Sequence, residues 1–255
     1  MAVIPSLFNS AECWINLPKA AVQKLNKLFE TFYSVMLNSP ASCPKPGLYW
    51  FTGGILPSNK IMERKLLFLF HLINLDQNTL GYEVLDSQRR FEMPGLWQEC
   101  LEYLRELDIS IEELEELSKF QFKSRVQEAT REKNRRDLLR WIEPYKKLKV
   151  IDLSKEKFET KPYFFELSLS KARTKFSIDI QMLKTVKSHF PLDKTNEEAL
   201  WKCGQCSRVD SIRHLMRCPF FSDIRANKNL HTNIEDMVTF FQEIVSYRLE
   251  QAQNN

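Results

Sequence analysis

The clearest chemistry in the sequence lies near its carboxyl end, where three cysteines and one histidine are closely spaced. Cys203, Cys206, His214 and Cys218 follow the pattern Cys-x2-Cys-x7-His-x3-Cys. The first pair encloses a glycine and a glutamine, which suit a tight turn that aims two sulfur atoms at one point. His214 and Cys218 are four residues apart, so on a helix they share one face. Two ligands from a turn and two from a helix can close a tetrahedron around Zn²⁺.

A zinc ion at this site is expected to be structural. All four coordination positions are filled by protein, which leaves none open for a reacting water or substrate. Asp210 and Ser211 can cap a helix that begins near Ile212 and carries the last two ligands. Two other interpretations stay open. One is a chance cluster of buried thiols with a surface histidine, and the other is a disulfide between Cys203 and Cys206, which a reducing compartment disfavours.

Basic residues surround this metal-binding pattern and favour contact with phosphate groups. The candidates for nucleic-acid binding are Lys202, Arg208, Arg213, Arg217 and Arg225. Between residues 200 and 225 only Asp210 and Asp223 oppose them. Because lysine and arginine supply most of the affinity for a nucleic-acid backbone, this segment is the leading candidate for a nucleic-acid interface.

Composition and charge limit the classes of function. The 255 residues are 43% hydrophobic and 27% charged, as in a folded globular protein, and the net charge of +4 is too small to imply nucleic acid by itself. Residues 99–118 hold eight acids and one arginine, net −7, whereas residues 119–149 hold eleven bases and four acids, net +7. The basic block is either a phosphate-contacting surface or a solvated helix paired with its acidic neighbour. Its cations spread around the helix, which favours pairing.

Apolar residues recur every three and four positions, which predicts a mostly α-helical fold. Helices are expected over residues 18–38, 57–75, 78–90, 95–107, 169–187 and 234–249, with another after Ser110 and one that Pro144 ends. Ser110 and Glu113 have the spacing of a capping box. Residues 66–70 are apolar on every side and are expected near the middle of the core. The apolar face of residues 234–249 is expected to pack on the rest of the protein.

The predicted architecture is a helical amino-terminal domain, residues 1–144, and a small helical CCHC zinc-binding domain, residues 169–255. Residues 145–168 are the least regular stretch and are expected to form the linker, with short strands at residues 150–151 and 163–165.

We find no signal peptide and no apolar run long enough to span a bilayer. The protein is therefore expected inside the cell, with reduced thiols and no membrane. His71, on an apolar helix, is expected to be buried.

The stretch around the metal ligands resembles a known family. The cysteine pair, followed by Ser211-Ile-Arg-His-Leu-Met-Arg-Cys-Pro-Phe-Phe221, is similar to the zinc-binding segment at the carboxyl end of non-LTR retrotransposon reverse transcriptases. Other stretches are similar to the region between the polymerase palm of these enzymes and that segment; they are residues 7–14, 25–28, 54–57, 64–68, 172–176 and 183–187. The likeness covers most of the chain, although only the Cys/His set is a specific motif.

The resemblance implies a structural zinc and a nucleic-acid partner, with RNA more expected than DNA. Reverse transcriptases hold two Mg²⁺ ions with paired aspartates, and this chain contains no adjacent aspartates. The chain is therefore expected to be a non-catalytic post-polymerase portion or remnant rather than an enzyme, and to have no small-molecule substrate. The alternative is a protein-interaction or purely structural role without nucleic-acid affinity, which exposed apolar surface on residues 234–249 would favour. An enzyme whose site assembles only in three dimensions is the least expected.

Overall fold

The computed structural model describes residues 8–145, 148, 153, 156–180, 182–183, 203, 206, 208, 211–226 and 228–253. Every regular element among these residues is helical, which confirms the mostly α-helical fold. In this described part, no helix is both long and apolar enough to cross a bilayer.

The helices match most of the predicted segments. They are α1 (Lys19–Met36), α2 (Lys45–Thr52), α3 (Pro57–Ile73), α4 (Leu80–Arg90), α5 (Leu96–Glu106), α6 (Ile111–Glu116), α7 (Lys119–Ile142), α8 (Tyr163–Glu166), α9 (Leu169–Asp179), α10 (Ile212–Leu215), α11 (Ser222–Arg225) and α12 (Ile234–Gln253), with 3₁₀ turns at Ala11–Cys13 and Pro219–Phe221. The capping box predicted at Ser110 and Glu113 is present at the start of α6. Helix α7 ends two residues before Pro144, as expected.

Contacts divide the chain into two compact units. The first contains residues 54–141 and the described residues up to 32, and the second contains residues 33–53 and the described residues from 142 onward. The sequence-based division kept residues 1–144 together, whereas the contacts assign residues 33–53 to the second unit. Since a contact grouping is not a test of independent folding, the predicted domain boundaries stay a prediction.

The first unit is built around α3, which packs against α4 and α5. Leu66 and Leu69 of α3 are completely buried, in agreement with the apolar stretch predicted for the core. Phe70 stacks on Phe122 of α7 with ring centroids 4.7 Å apart. Burial of large apolar side chains of this kind supplies most of the free energy that holds such helices together.

A charged side chain is buried within this apolar unit. Lys65 of α3 has no exposed surface, and its Nζ lies 2.6 Å from Oε1 of Glu99 in α5. The Tyr103 hydroxyl donates to the same carboxylate oxygen at 2.6 Å. Burial, followed by the negative charge of Glu99, raises the pKa of the neighbouring Cys100 thiol to about 12. Lys65 and Glu99 are thus held as a hydrogen-bonded ion pair, which is the condition under which a charge can be kept out of water.

The opposite charges of the acidic and basic blocks pair with one another. Arg125 of α7 lies 3.0 Å from Glu113, and Lys133 lies 3.4 Å from Glu106. Other basic residues of the block form ion pairs within α7, for example Arg140 with Asp137. These contacts support the interpretation of the basic block as a paired helix.

The second unit contains a helix that apolar spacing did not reveal. Helix α2 begins after Pro44, and its residues 46–51 are all buried. It ends at Gly53, whose φ of 63° lies in the left-handed region. A Cβ atom at this glycine would lie 2.5 Å from the backbone nitrogen of Thr160. In the same unit α9 packs against α12, and Phe176 of α9 contacts Phe51 edge to face, with ring centroids 5.9 Å apart.

Three sequence-based expectations about residues outside the metal-binding pattern were wrong. Residues 163–165 belong to the helix α8 rather than to a strand, because Pro162 already has helical dihedral angles, φ −54° and ψ −36°. Helix α9 ends at Asp179 instead of near residue 187. His71 is exposed rather than buried. The other predicted strand, at residues 150–151, and residues 184–187 lie outside the described residues.

We expect Glu99→Ala to destabilise the protein by about 3–5 kcal/mol, because it leaves the fully buried Lys65 ammonium without a carboxylate. Urea unfolding followed by circular dichroism measures this loss. The double variant Lys65→Met/Glu99→Leu removes both charges and should recover most of it. Glu115→Ala, which removes one partner of an exposed pair with Arg89, is the control and should change stability by less than about 1 kcal/mol. If the double variant is at least as unstable as Glu99→Ala, the loss of stability does not come from an unpaired Lys65 ammonium.

Candidate metal centre

The four predicted ligands converge in the structure. The potential donor atoms of Cys203, Cys206, His214 and Cys218 all lie within 4.8 Å of one another. Sγ of Cys206 is 3.2 Å from Nε2 of His214 and 3.8 Å from Sγ of Cys218. A tetrahedral ion with metal–sulfur bonds of about 2.3 Å separates its sulfur ligands by about 3.8 Å, so the spacing fits one ion. The four residues form a group that can hold a metal ion, and the cysteines are not joined in disulfides.

The first half of the site is a turn stabilised by its own backbone. The N–H of Cys203 donates to the carbonyl oxygen of Arg208 at 2.6 Å, which brings the chain back on itself between these two residues. A hydrogen bond from the backbone N–H of Arg208, the largest effect, lowers the pKa of Cys206. This geometry favours the thiolate form, which is the form that binds metals. Residues 204–205 lie outside the described residues.

The second half of the site is a capped helical turn followed by a bend. The Ser211 hydroxyl accepts a hydrogen bond from the N–H of His214 at 3.1 Å and caps α10, as predicted from the sequence. The helix ends at Leu215, so the expectation that His214 and Cys218 lie on one helix was wrong. Cys218 follows a turn in which its N–H donates to the Leu215 carbonyl at 3.4 Å. Because of this bend, the sulfur of Cys218 still lies close to the other potential ligands.

The site sits against an apolar core provided largely by α12. Cys203 and Cys218 are buried with 1% and 0% of their surface exposed, whereas Cys206 and His214 are half-buried. The same cluster contains Leu215, Phe221 and, from α12, Phe241. Burial raises the pKa of Cys218. The two buried sulfurs therefore face the core, and the cluster is open to solvent on the side of Cys206 and His214.

Sequence reasoning missed one residue that contacts a ligand, Arg248 of α12. Its Nη2 lies 3.5 Å from Sγ of Cys203, and its guanidinium lies 5.5 Å from the centre of the Phe221 ring. Only 8% of Arg248 is exposed. A signal was present, because Arg248 follows Phe241 and Ile244 at spacings of seven and four and so continues the buried apolar face of the helix. A buried cation needs hydrogen-bond partners, and the sulfur of Cys203 is one of them.

The basic residues predicted to contact phosphates occupy different environments. Arg208, Arg213 and Arg217 are exposed. Arg225 is half-buried, and its Nη1 donates to the carbonyl oxygens of Met216 at 2.9 Å and of Cys218 at 3.3 Å. These hydrogen bonds stabilise the bend that positions Cys218. Lys202 lies outside the described residues.

Comparisons of the chain with protein-family models, curated proteins and solved structures found no match. The similarity to reverse transcriptases therefore remains a hypothesis that rests on the residues themselves.

Replacement of Arg248 tests whether its contacts with Cys203 and Phe221 stabilise the folded protein. We expect Arg248→Met to lower the free energy of unfolding by about 1.5–3 kcal/mol, because it removes a buried hydrogen bond from a charged guanidinium to the Cys203 sulfur and the cation over Phe221. Urea unfolding of the metal-loaded protein measures the change. Arg217→Met, at an exposed arginine of the same unit, should shift stability by less than about 0.5 kcal/mol. Equal urea midpoints for Arg248→Met and the unsubstituted protein would show that Arg248 does not stabilise the unit.

Proposed function

We propose that this protein is a non-catalytic nucleic-acid-binding chain whose carboxy-terminal unit is held by one structural zinc ion, and that RNA is its partner. The observation that carries the proposal is the convergence of three sulfur atoms and one imidazole nitrogen within 4.8 Å. The similarity to the post-polymerase portion of non-LTR retrotransposon reverse transcriptases supports RNA over DNA.

The donor set favours zinc over harder metal ions. Thiolate and imidazole ligands in a tetrahedral arrangement are typical of structural zinc sites, whereas Mg²⁺ and Ca²⁺ prefer oxygen ligands. Three thiolates and a divalent ion carry a net charge of −1. Arg248, a cation at hydrogen-bond distance from Cys203, would offset part of that negative charge. With four protein ligands no coordination position is open for catalysis, which supports a non-catalytic role.

Three arginines of the metal-binding segment are placed to meet phosphate groups. Arg208, Arg213 and Arg217 are exposed, and no ion pair in the described part of the chain involves them. Arg208 belongs to the turn that bears the first cysteine pair, and the other two flank His214 and Cys218. Zinc binding would therefore order the cations together with the ligands, since ligand binding and local folding are one equilibrium.

The alternative role in protein interaction called for exposed apolar surface on residues 234–249. Val238, Phe241 and Ile244 of α12 are at most 1% exposed, whereas Ile234 and Leu249, at the two ends of this stretch, are 38% and 41% exposed. The middle of the apolar face packs within its own unit.

The metal itself gives the first test. We expect one zinc ion per purified chain by elemental analysis, and loss of that ion in both Cys203→Ser and His214→Ala, because each removes one of four ligands. Amide hydrogen exchange should show residues 211–225 losing protection in both variants.

Cys13→Ser is the matched control for the metal test. Cys13 is exposed and is not part of the metal-ligand group, so this variant should retain its zinc. Zinc content that is unchanged in Cys203→Ser would eliminate the proposed centre.

RNA binding gives the second test. The zinc-loaded protein should bind single-stranded RNA with an affinity that falls as salt rises. Replacing Arg208, Arg213 and Arg217 with glutamine should reduce the slope of log K against log[salt] by about 2, since each phosphate contact on a single strand contributes about 0.7. Fluorescence anisotropy with a labelled oligonucleotide measures the slope.

The control for RNA binding uses exposed arginines of the first unit, Arg131 and Arg136. Their replacement by glutamine should leave the slope unchanged, while zinc content should be the same in both sets of variants. Absence of binding at low salt by a zinc-loaded protein would reject the RNA proposal and leave the metal centre intact.

A further inference from the structure

The first unit contains a cavity of about 430 Å³ beside the end of α3 and the start of α7. Its size falls within the range of pockets that bind small molecules, about 300–1,000 Å³. The residues that line it are Leu67, Phe70, His71, Asn74, Leu117, Ser118, Lys119 and Lys123. All of them belong to the first unit, far along the chain from the metal ligands.

The inner wall of the cavity is apolar. Phe70, which is 7% exposed, stacks on the buried Phe122 ring at 4.7 Å. Leu67 and Leu117 are partly buried against the same core. A hydrocarbon or aromatic group placed here would be removed from water without any polar group of the wall losing a partner.

The rim of the cavity is basic. Lys119 and Lys123 are four residues apart on α7 and so share a face, and His71 is exposed on the opposite wall. No carboxylate lines the cavity, and no ion pair in the described part of the chain engages either lysine. Arg125, Lys133 and Arg140 of the same helix are instead paired with acids.

The start of α7 adds to the positive potential at this rim. Leu117, Ser118 and Lys119 all line the cavity, so the amino-terminal end of this 24-residue helix borders it. The helix macrodipole places a partial positive charge at that end. Ser118 and Gln121 cap each other there, with the N–H of Ser118 donating to Oε1 of Gln121 at 3.0 Å. The anion would therefore be held chiefly by the two lysine side chains.

We propose that this cavity binds a small amphipathic carboxylate, with its apolar body against Phe70, Leu67 and Leu117 and its carboxylate between Lys119 and Lys123. The apolar wall selects for a hydrocarbon or aromatic body, and the unpaired ammonium groups select for the anion. A neutral analogue of the same length loses the charge-assisted hydrogen bonds. The site is independent of the metal centre and of RNA binding.

Isothermal titration calorimetry with decanoate, below its aggregation concentration, tests the proposal. Decanoate should bind in a saturable 1:1 manner, and decan-1-ol at least about tenfold more weakly. Lys119→Gln/Lys123→Gln should reduce decanoate affinity to that of decan-1-ol. Leu67→Trp, which fills the cavity, should abolish binding of both compounds.

Arg131→Gln/Arg136→Gln is the matched control, because these exposed cations lie on the same helix and do not line the cavity. This variant should bind decanoate as the unsubstituted protein does. Circular dichroism and urea unfolding establish that each variant is folded before titration. Equal affinity for decanoate and decan-1-ol, or loss of binding in the Arg131/Arg136 control, would overturn the proposal, as would non-saturable uptake.

Discussion

The carboxy-terminal unit depends on one constraint, the meeting of three sulfur atoms and one imidazole nitrogen from two short chain segments. A turn supplies Cys203 and Cys206, and a capped helical turn followed by a bend supplies His214 and Cys218. Among the described residues of the two segments, the helix present is the four-residue α10, which is too short to fix their arrangement by itself. The convergence is what binding of one shared ion would require, and the same segments also pack into the apolar cluster of Leu215 and Phe221.

Both units contain a buried cation beside a side-chain hydrogen-bond acceptor, a carboxylate in the first unit and a cysteine sulfur in the second. Lys65 is paired with Glu99 in the first unit, and Arg248 lies against Cys203 in the second. In each case a long helix carries the cation on its apolar face, and the partner comes from a distant part of the sequence. A buried charge is tolerated only when it is paired, so each cation specifies which element packs against its helix. Arg248 in this way links α12 to the metal ligands.

The surface cations are used in two ways. Along α7 four of the eight cations, Arg125, Lys133, Arg135 and Arg140, are paired with acids of the same helix or of the preceding acidic block. Around the metal ligands Arg208, Arg213 and Arg217 face solvent, and at the start of α7 Lys119 and Lys123 face a cavity. The same residue types are thus paired in one place and open to a ligand in another, and the difference lies in whether a carboxylate is within reach.

The sequence by itself determined the features that depend on neighbours a few residues away. These are the helical class, the capping residues Ser110 and Ser211, and the identity of the four ligands, because periodicity, caps and ligand spacing are local. Only the tertiary structure decided that residues 46–51 are buried in a helix and that Cys218 reaches the site from a bend. The tertiary structure alone placed Arg248 against Cys203 and left His71 exposed to solvent. These depend on which distant segments pack together, and apolar spacing says which face of a helix is buried but not what covers it.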